Sequence, residues 1–213
     1  MEEVFNYHES LSAAQRKTQG AFFTPERWVD KIYEYADAML GRKWRERAYV
    51  WDPACGAGAL TYGRGLAHVF SSGIEEDELN IVRSTQPGAS VFNFDFLNQQ
   101  LDELPDALKQ RLDSGRGQFL VIVNPPYGKP PANTAVAKEY ADLGGAVKQE
   151  MSRLFLSRIA DIASDFAGEF HIIAVTKNFY GSERMIPFIT HMHERLSTCL
   201  LYTSDAADDI ALV

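Results

Sequence analysis

The chain has 213 residues, 46% of them apolar, which suits one domain with a real core. Its formal net charge of -8 opposes a polyanionic partner, unless a basic surface is local or the part that grips nucleic acid lies outside this chain. No run of about eighteen apolar residues and no basic-then-apolar N-terminus is present, so the chain reads as neither membrane-spanning nor secreted. Its two cysteines, Cys55 and Cys199, form neither a disulfide framework nor a zinc pattern and suit a reducing cytoplasm.

In chain order, residues 26–40 carry Trp28, Val29, Ile32, Tyr33, Ala36, Met39 and Leu40 at helical spacing. Thr24 and Pro25 open that helix as cap and first-turn proline. Residues 48–51 predict a first strand, followed by a glycine-rich turn and a helix. Residues 69–74 predict a second strand and 77–83 a short helix. A third strand over 91–94 precedes a helix over 102–112. The apolar run 119–123 is a fourth, buried strand. Val147, Met151, Leu154, Phe155, Ile159 and Ile162 mark a long helix. A fifth strand covers 170–175, and Ser182 caps a last helix to about Leu196. Strands alternating with helices imply an α/β fold with a doubly wound, mostly parallel sheet.

The chemistry-bearing residues fall at strand ends, where open α/β sheets bind ligands. After the first strand stands Asp52-Pro53-Ala54-Cys55-Gly56-Ala57-Gly58, whose Gly56 and Gly58 allow tight turns and close approach to a ligand. Glu75 closes the second strand, at the head of an acidic run to Glu78. A carboxylate there accepts from ribose hydroxyls in dinucleotide-binding folds. Asp95 and Phe96 follow the third strand, where the carboxylate can accept from an exocyclic amine and the ring can stack on a base. Asn124-Pro125-Pro126-Tyr127 follows the fourth strand. There two prolines end strand pairing and stiffen the backbone that carries an amide and an aromatic ring. Residues 128–144, with Lys129, Pro130, Pro131 and Lys138, read as a mobile flap or a disordered loop. His8, His68, His171, His191 and His193 lack metal-ligand spacing, and no metal is expected.

Asn124-Pro125-Pro126-Tyr127 resembles motif IV of amino-group methyltransferases that use S-adenosylmethionine. The glycine turn resembles motif I of the adenine-N6 DNA methyltransferases, Glu75 their motif II and Asp95 their motif III. Gly20-Ala21-Phe22-Phe23-Thr24-Pro25 resembles their motif X. Its place upstream of the others resembles the gamma group, found in bacteria and phage. The resemblance covers about residues 15 to 195 and implies a Rossmann-like methyltransferase fold. Phe23, Thr24, Pro25, Asp52, Pro53, Ala54, Cys55, Gly56, Gly58, Glu75, Asp95 and Phe96 would then hold the cofactor, with Asp52 near its amino group. Asn124, Pro125, Pro126 and Tyr127 would act on an adenine flipped out of DNA, Tyr127 by stacking on it. A partner restriction endonuclease is a further implication, as is a cytoplasmic setting. The alternatives are an RNA-adenine or protein-glutamine methyltransferase, or an inactive accessory fragment that binds the cofactor.

The residues from Cys199 to Asp208 resemble an in-frame translation of a sequencing adapter. Residues 1–198 are therefore expected to be a partial catalytic domain, incomplete at its C-terminus, and 199–213 a non-native tail that packs weakly. The fifth strand would then be an exposed apolar sheet edge, open to pairing with other chains.

Overall fold

A computed structural model of the chain describes residue 4 and residues 24–41, 43–131, 134–143, 147, 149–176, 186–196, 200–203 and 211–212. Residues 200–203 and 211–212 are described by their backbone alone. The elements in order are α1 (Glu26–Leu40), α2 (Trp44–Arg47), β1 (Tyr49–Asp52), β2 (His68–Gly73), α3 (Glu76–Thr85), β3 (Ser90–Asn93), α4 (Asp106–Ser114) and β4 (Gln118–Val123). They continue with α5 (Ala135–Glu139), α6 (Met151–Asp165), β5 (Glu169–Thr176), α7 (Ile186–Arg195), β6 (Leu200–Thr203) and β7 (Ala211–Leu212). Among the described residues, no helix is long and apolar enough to cross a membrane.

The strands form one sheet in the order β3-β2-β1-β4-β5-β6-β7, parallel throughout except for β7. Strand periodicity explains the two layers around it, because successive side chains point to opposite faces. On one face Val50, Leu120, Ile122, Ile173 and Val175 pack against Val29, Ile32, Tyr33 and Ala36 of α1. On the other, Trp51, Phe119, Val121, Val123, Ile172 and Ala174 pack against Leu108 of α4, Leu154, Phe155 and Ile159 of α6, and Phe188 of α7. Both faces of β4 are thus covered, which is why its sequence is a continuous apolar run. The expected doubly wound α/β fold is what the chain adopts.

β1 pairs with β2 on one side and with β4 on the other. The chain leaves β1 to build β2 and β3, then returns across to β4. The strand order therefore reverses between β1 and β4, and a crevice opens beyond their carboxyl ends.

Several boundaries differ from the sequence expectation. The helix expected over 102–112 is a 3-10 turn at Leu101–Glu103 and then α4, because Pro105 cannot continue a helix and instead opens one. The long helix begins at Met151, after Val147. Residues 53–64 form successive turns with no helix after the glycines, closed by Gly58 N to Cys55 O at 2.8 Å and Tyr62 N to Gly58 O at 3.0 Å. Thr24 is not the cap of α1. Pro25 takes that place with extended ψ, and its carbonyl accepts from Trp28 N and Val29 N. Ser182 lies outside the described residues.

Within the expected flap or disordered loop, residues 134–143 fold into α5 and a 3-10 turn packed on the domain. α5 is capped by Thr134, Val136 N donates to Leu97 O at 3.1 Å, and the Tyr140 hydroxyl donates to Asp161 on α6. The bare β5 edge expected from the tail is also overturned. β6 pairs with β5 from Ile173↔Leu200 to Thr176↔Thr203, and β7 pairs with β6. Unpaired edge groups of a parallel sheet are satisfied by any strand that reaches them.

Candidate functional site

A cavity of about 210 Å³ lies at the carboxyl ends of the strands, and the loops after β1, β2, β3 and β4 all line it. Four of the expected motifs therefore meet in one place, as a strand-order reversal between β1 and β4 requires. Ten of the sixteen residues expected from sequence to form the site border the cavity: Thr24, Pro53, Ala54, Cys55, Gly56, Glu75, Asp95, Phe96, Asn124 and Pro126. Phe23 lies outside the described residues. Pro25, Asp52, Gly58, Pro125 and Tyr127 are not on the wall.

The turn after β1 is held by its surroundings. Gly58 has φ +85, and a Cβ there would meet Gln86 Nε2 at 2.4 Å and Val82 Cγ2 at 3.0 Å. The positive φ favours glycine, and a side chain there would also have to displace the Gln86 amide and press on Val82. The Gln86 amide at the end of α3 fastens the turn, donating to Gly58 O at 3.1 Å and accepting from Thr61 Oγ1 at 3.0 Å. Gly58 thus shapes the loop without touching the cavity.

Asp52 departs from its expected role. It is 0% exposed, its Oδ1 accepts from Ala54 N at 3.2 Å, and its Oδ2 has no hydrogen-bond partner among the described residues. Burial pushes its carboxyl up to about 7, against the lowering effect of that one backbone bond. An acid enclosed beneath the turn cannot meet a ligand's amino group in the cavity. Cys55, just above, has its thiol pushed well up by burial first and by the nearby carboxylates of Asp52 and Glu78 next. It is a packing residue, not a nucleophile.

The loop after β3 carries Asp95 in a tight local turn. Its Oδ1 accepts from Leu97 N at 2.9 Å and its Oδ2 from Asn98 Nδ2 at 2.7 Å. Each carboxylate oxygen has a second acceptor site, so the half-buried group can still meet a donor in the cavity. Phe96 does not offer the stacking face expected of it. It is 1% exposed, its ring stacks on Phe155 with centroids 4.7 Å apart, and Arg158 lies over it at 5.1 Å. A large apolar ring gains more from the core than from a wet crevice. Apolar contact at the cavity comes also from Ile74, which is strongly exposed, and from Phe94.

Arg158 was not singled out from sequence, although a lone cation on the apolar face of α6 was a signal. Its Nη1 donates to Phe96 O at 2.5 Å and its Nη2 to Gln99 O at 2.8 Å, and burial lowers its pKa. It ties both ends of the Asp95 turn to α6. Arg158→Met should leave two carbonyls without their donor and destabilise the fold by on the order of 3 kcal/mol. Urea denaturation of variant and parent measures this, and an unchanged midpoint would show that the clamp contributes nothing.

After β4, Asn124 Nδ2 donates to Thr24 Oγ1 at 2.9 Å, and both residues line the cavity. Thr24 is buried, held at the start of α1 by packing of that helix on the sheet. The bond orients the amide, turning Oδ1 away from Thr24. Tyr127 is corrected from its expected place. It is 8% exposed, lies off the cavity wall, and its hydroxyl donates to Val175 O at 2.9 Å on β5. A buried phenol seeks an acceptor for its hydroxyl, and the end of β5 supplies one. Tyr127 therefore anchors the Pro-Pro turn to the sheet instead of offering a stacking platform.

No family model and no curated protein matches the chain. Among solved structures, it is similar to SAM-bound CalS10, an amino pentose methyltransferase from Micromonospora echinaspora involved in calicheamicin biosynthesis. That match has 19% identity over 71% of this chain and 51% of that one, with a TM-score of 0.36. The chain thus spans about half the length of that protein. It is also similar to a TehB-like SAM-dependent methyltransferase from Corynebacterium glutamicum, with 14% identity over 82% of this chain and 84% of that one and a TM-score of 0.36.

Proposed function

We propose that the chain carries the catalytic site of an S-adenosylmethionine-dependent methyltransferase acting on the exocyclic amino group of adenine in DNA. One observation carries this reading. Asn124 of the Asn-Pro-Pro-Tyr turn shares a single cavity wall with the glycine turn, Glu75 and Asp95, each at the carboxyl end of a parallel strand. The acceptor set suits a nucleoside-bearing cofactor. Glu75 stands ready for sugar hydroxyls, Asp95 for an exocyclic amine, and the exposed Ile74 for the face of a base. Gly56 leaves room for the chain that bears the sulfonium.

The cofactor supplies an electrophilic methyl on its sulfonium. The nitrogen of an adenine amine is a weak nucleophile because its lone pair is shared with the ring. In this reading Asn124 Oδ1 accepts an amine hydrogen, which localises the lone pair and aims it along the line of attack; the Pro125 carbonyl, expected as the second acceptor, lies off the cavity wall. Thr24 keeps the Asn124 amide in the orientation that this requires. Pro125 and Pro126 stiffen the turn, and Tyr127 fixes it to β5. A carboxylate base is unnecessary before transfer, since the amine nitrogen gains its positive charge only on methylation. It then loses a proton to solvent.

The cofactor half of the proposal is tested by calorimetry with S-adenosylhomocysteine. Binding is expected, and Asp95→Ala should weaken it about tenfold or more by removing an acceptor and releasing the Leu97 and Asn98 donors. A folded chain that binds neither this ligand nor S-adenosylmethionine would refute the reading.

A further inference from the structure

Four acidic residues, Glu75 to Glu78, follow β2, and the start of α3 sorts them by direction. Glu76 and Asp77 are exposed, and Glu76 accepts from Arg83 Nη1 at 2.5 Å. Glu75 is the extended residue that caps α3 and Glu78 lies in its first turn, three residues on, and both line the cavity. Glu78 is 8% exposed, and its Oε1 has no hydrogen-bond partner among the described residues. Leaving such a group unsatisfied costs about 1–3 kcal/mol, and more when it is charged. A buried polar atom on a cavity wall, left over by the fold, points to a ligand that completes it.

The groups around Glu78 sharpen what that ligand is. Glu75 lies three residues before it, and the Cys55 thiol, on the same cavity wall, feels the carboxylates of both Glu78 and Asp52. Arg83, farther along α3, is engaged by Glu76 and Asn80. Burial first, and the Glu75 carboxylate second, push the Glu78 carboxyl up to about 7. Near neutral pH the two carboxyls therefore offer both acceptors and a proton. That set matches two adjacent hydroxyls, which donate and accept at once, and it repels a phosphate.

We propose that Glu78 is a second sugar-binding carboxyl that joins Glu75 in taking the vicinal diol of a nucleoside and in excluding nucleosides phosphorylated on that diol. The inference rests on the cofactor reading above for the identity of the nucleoside, and on the wall geometry for the diol. It makes Glu78 a specificity-determining residue of the site.

The test is a set of binding measurements on the full chain and on Glu78→Gln and Glu78→Ala. The probes are S-adenosylhomocysteine, its 2′-deoxy and 3′-deoxy forms, adenosine and adenosine 3′-phosphate. Glu78→Ala should bind S-adenosylhomocysteine about tenfold more weakly, yet bind one of the deoxy forms as the parent does. Adenosine 3′-phosphate, bound poorly by the parent, should approach adenosine in the alanine variant. Glu78→Gln, which keeps the shape and one acceptor, should fall between the two. Thermal melting identifies folded variants, and neither should melt lower, since each removes an unpaired buried acid. A parent and variants alike in affinity for every probe would overturn the proposal. Adenosine binding with the expected coupling, but without S-adenosylhomocysteine binding, would sustain the diol site and refute the cofactor. Binding of neither would overturn both.

Discussion

Asn124→Ala is expected to lower methyl transfer to adenine in duplex DNA by on the order of a hundredfold or more, with the affinity for S-adenosylhomocysteine nearly unchanged. The substitution deletes the acceptor that the proposed reaction needs on the amine. It spares Glu75, Glu78 and Asp95, which the same reading assigns to the cofactor. The Thr24 hydroxyl loses its donor but stays on the cavity wall. Single-turnover transfer of a labelled methyl group, alongside calorimetry, separates the two effects. Transfer at the parent rate would refute the role of Asn124. Transfer by the parent to RNA adenine or to a protein glutamine, and not to DNA, would keep the chemistry and change the substrate.

Asp52→Asn should reverse its effect on stability with pH. The folded-state pKa of Asp52 is raised to about 7 by burial, against about 3.9 in the unfolded chain. Between those values the folded protein holds a proton that the unfolded chain has released. The stability linked to this group is therefore complete below about pH 4, falls as pH rises, and is lost above about pH 7. Asparagine cannot ionise, so the variant escapes this slope, although its amide lacks an acceptor in the same enclosed place. From pH 5 to pH 8 the balance should move about 2–3 kcal/mol towards the variant. Urea denaturation at the two pH values measures it, and subtracting the parent removes the parallel contribution of Glu78. A difference independent of pH would show that Asp52 finds a partner for its charge. Affinity for S-adenosylhomocysteine should barely change, since Asp52 does not reach the cavity.

Hydrophobic period and strand-end chemistry made much of the molecule legible before any coordinates. The run from Phe119 to Val123 read as a buried strand, and α1 was readable to its terminal residues, Glu26 and Leu40, from the Thr24-Pro25 start and helical spacing. Placing Asp95 and Asn124 at the carboxyl edge of the sheet needed no more than the alternation of strands and helices. Local geometry also carried a signal for Glu78, three residues beyond Glu75, and for Arg158, a lone cation on an apolar helix face. Pro105 was equally visible as the break before α4.

The sequence by itself determined the α/β class, the strand ends where chemistry gathers, and the residue types placed there. Each of these follows from interactions between near neighbours along the chain. Only the tertiary structure decided what each group faces. It enclosed Asp52 beneath the turn that was expected to present it, and it committed the Phe96 ring to Phe155 and Arg158. It tied the Tyr127 hydroxyl to Val175 and set Thr24 against Asn124, 100 positions away. It also joined β6 to the β5 edge that was expected to stand bare. Direction and burial come from long-range packing: a ring or carboxyl turns towards the core or the cavity according to residues far away in sequence, which no local pattern encodes.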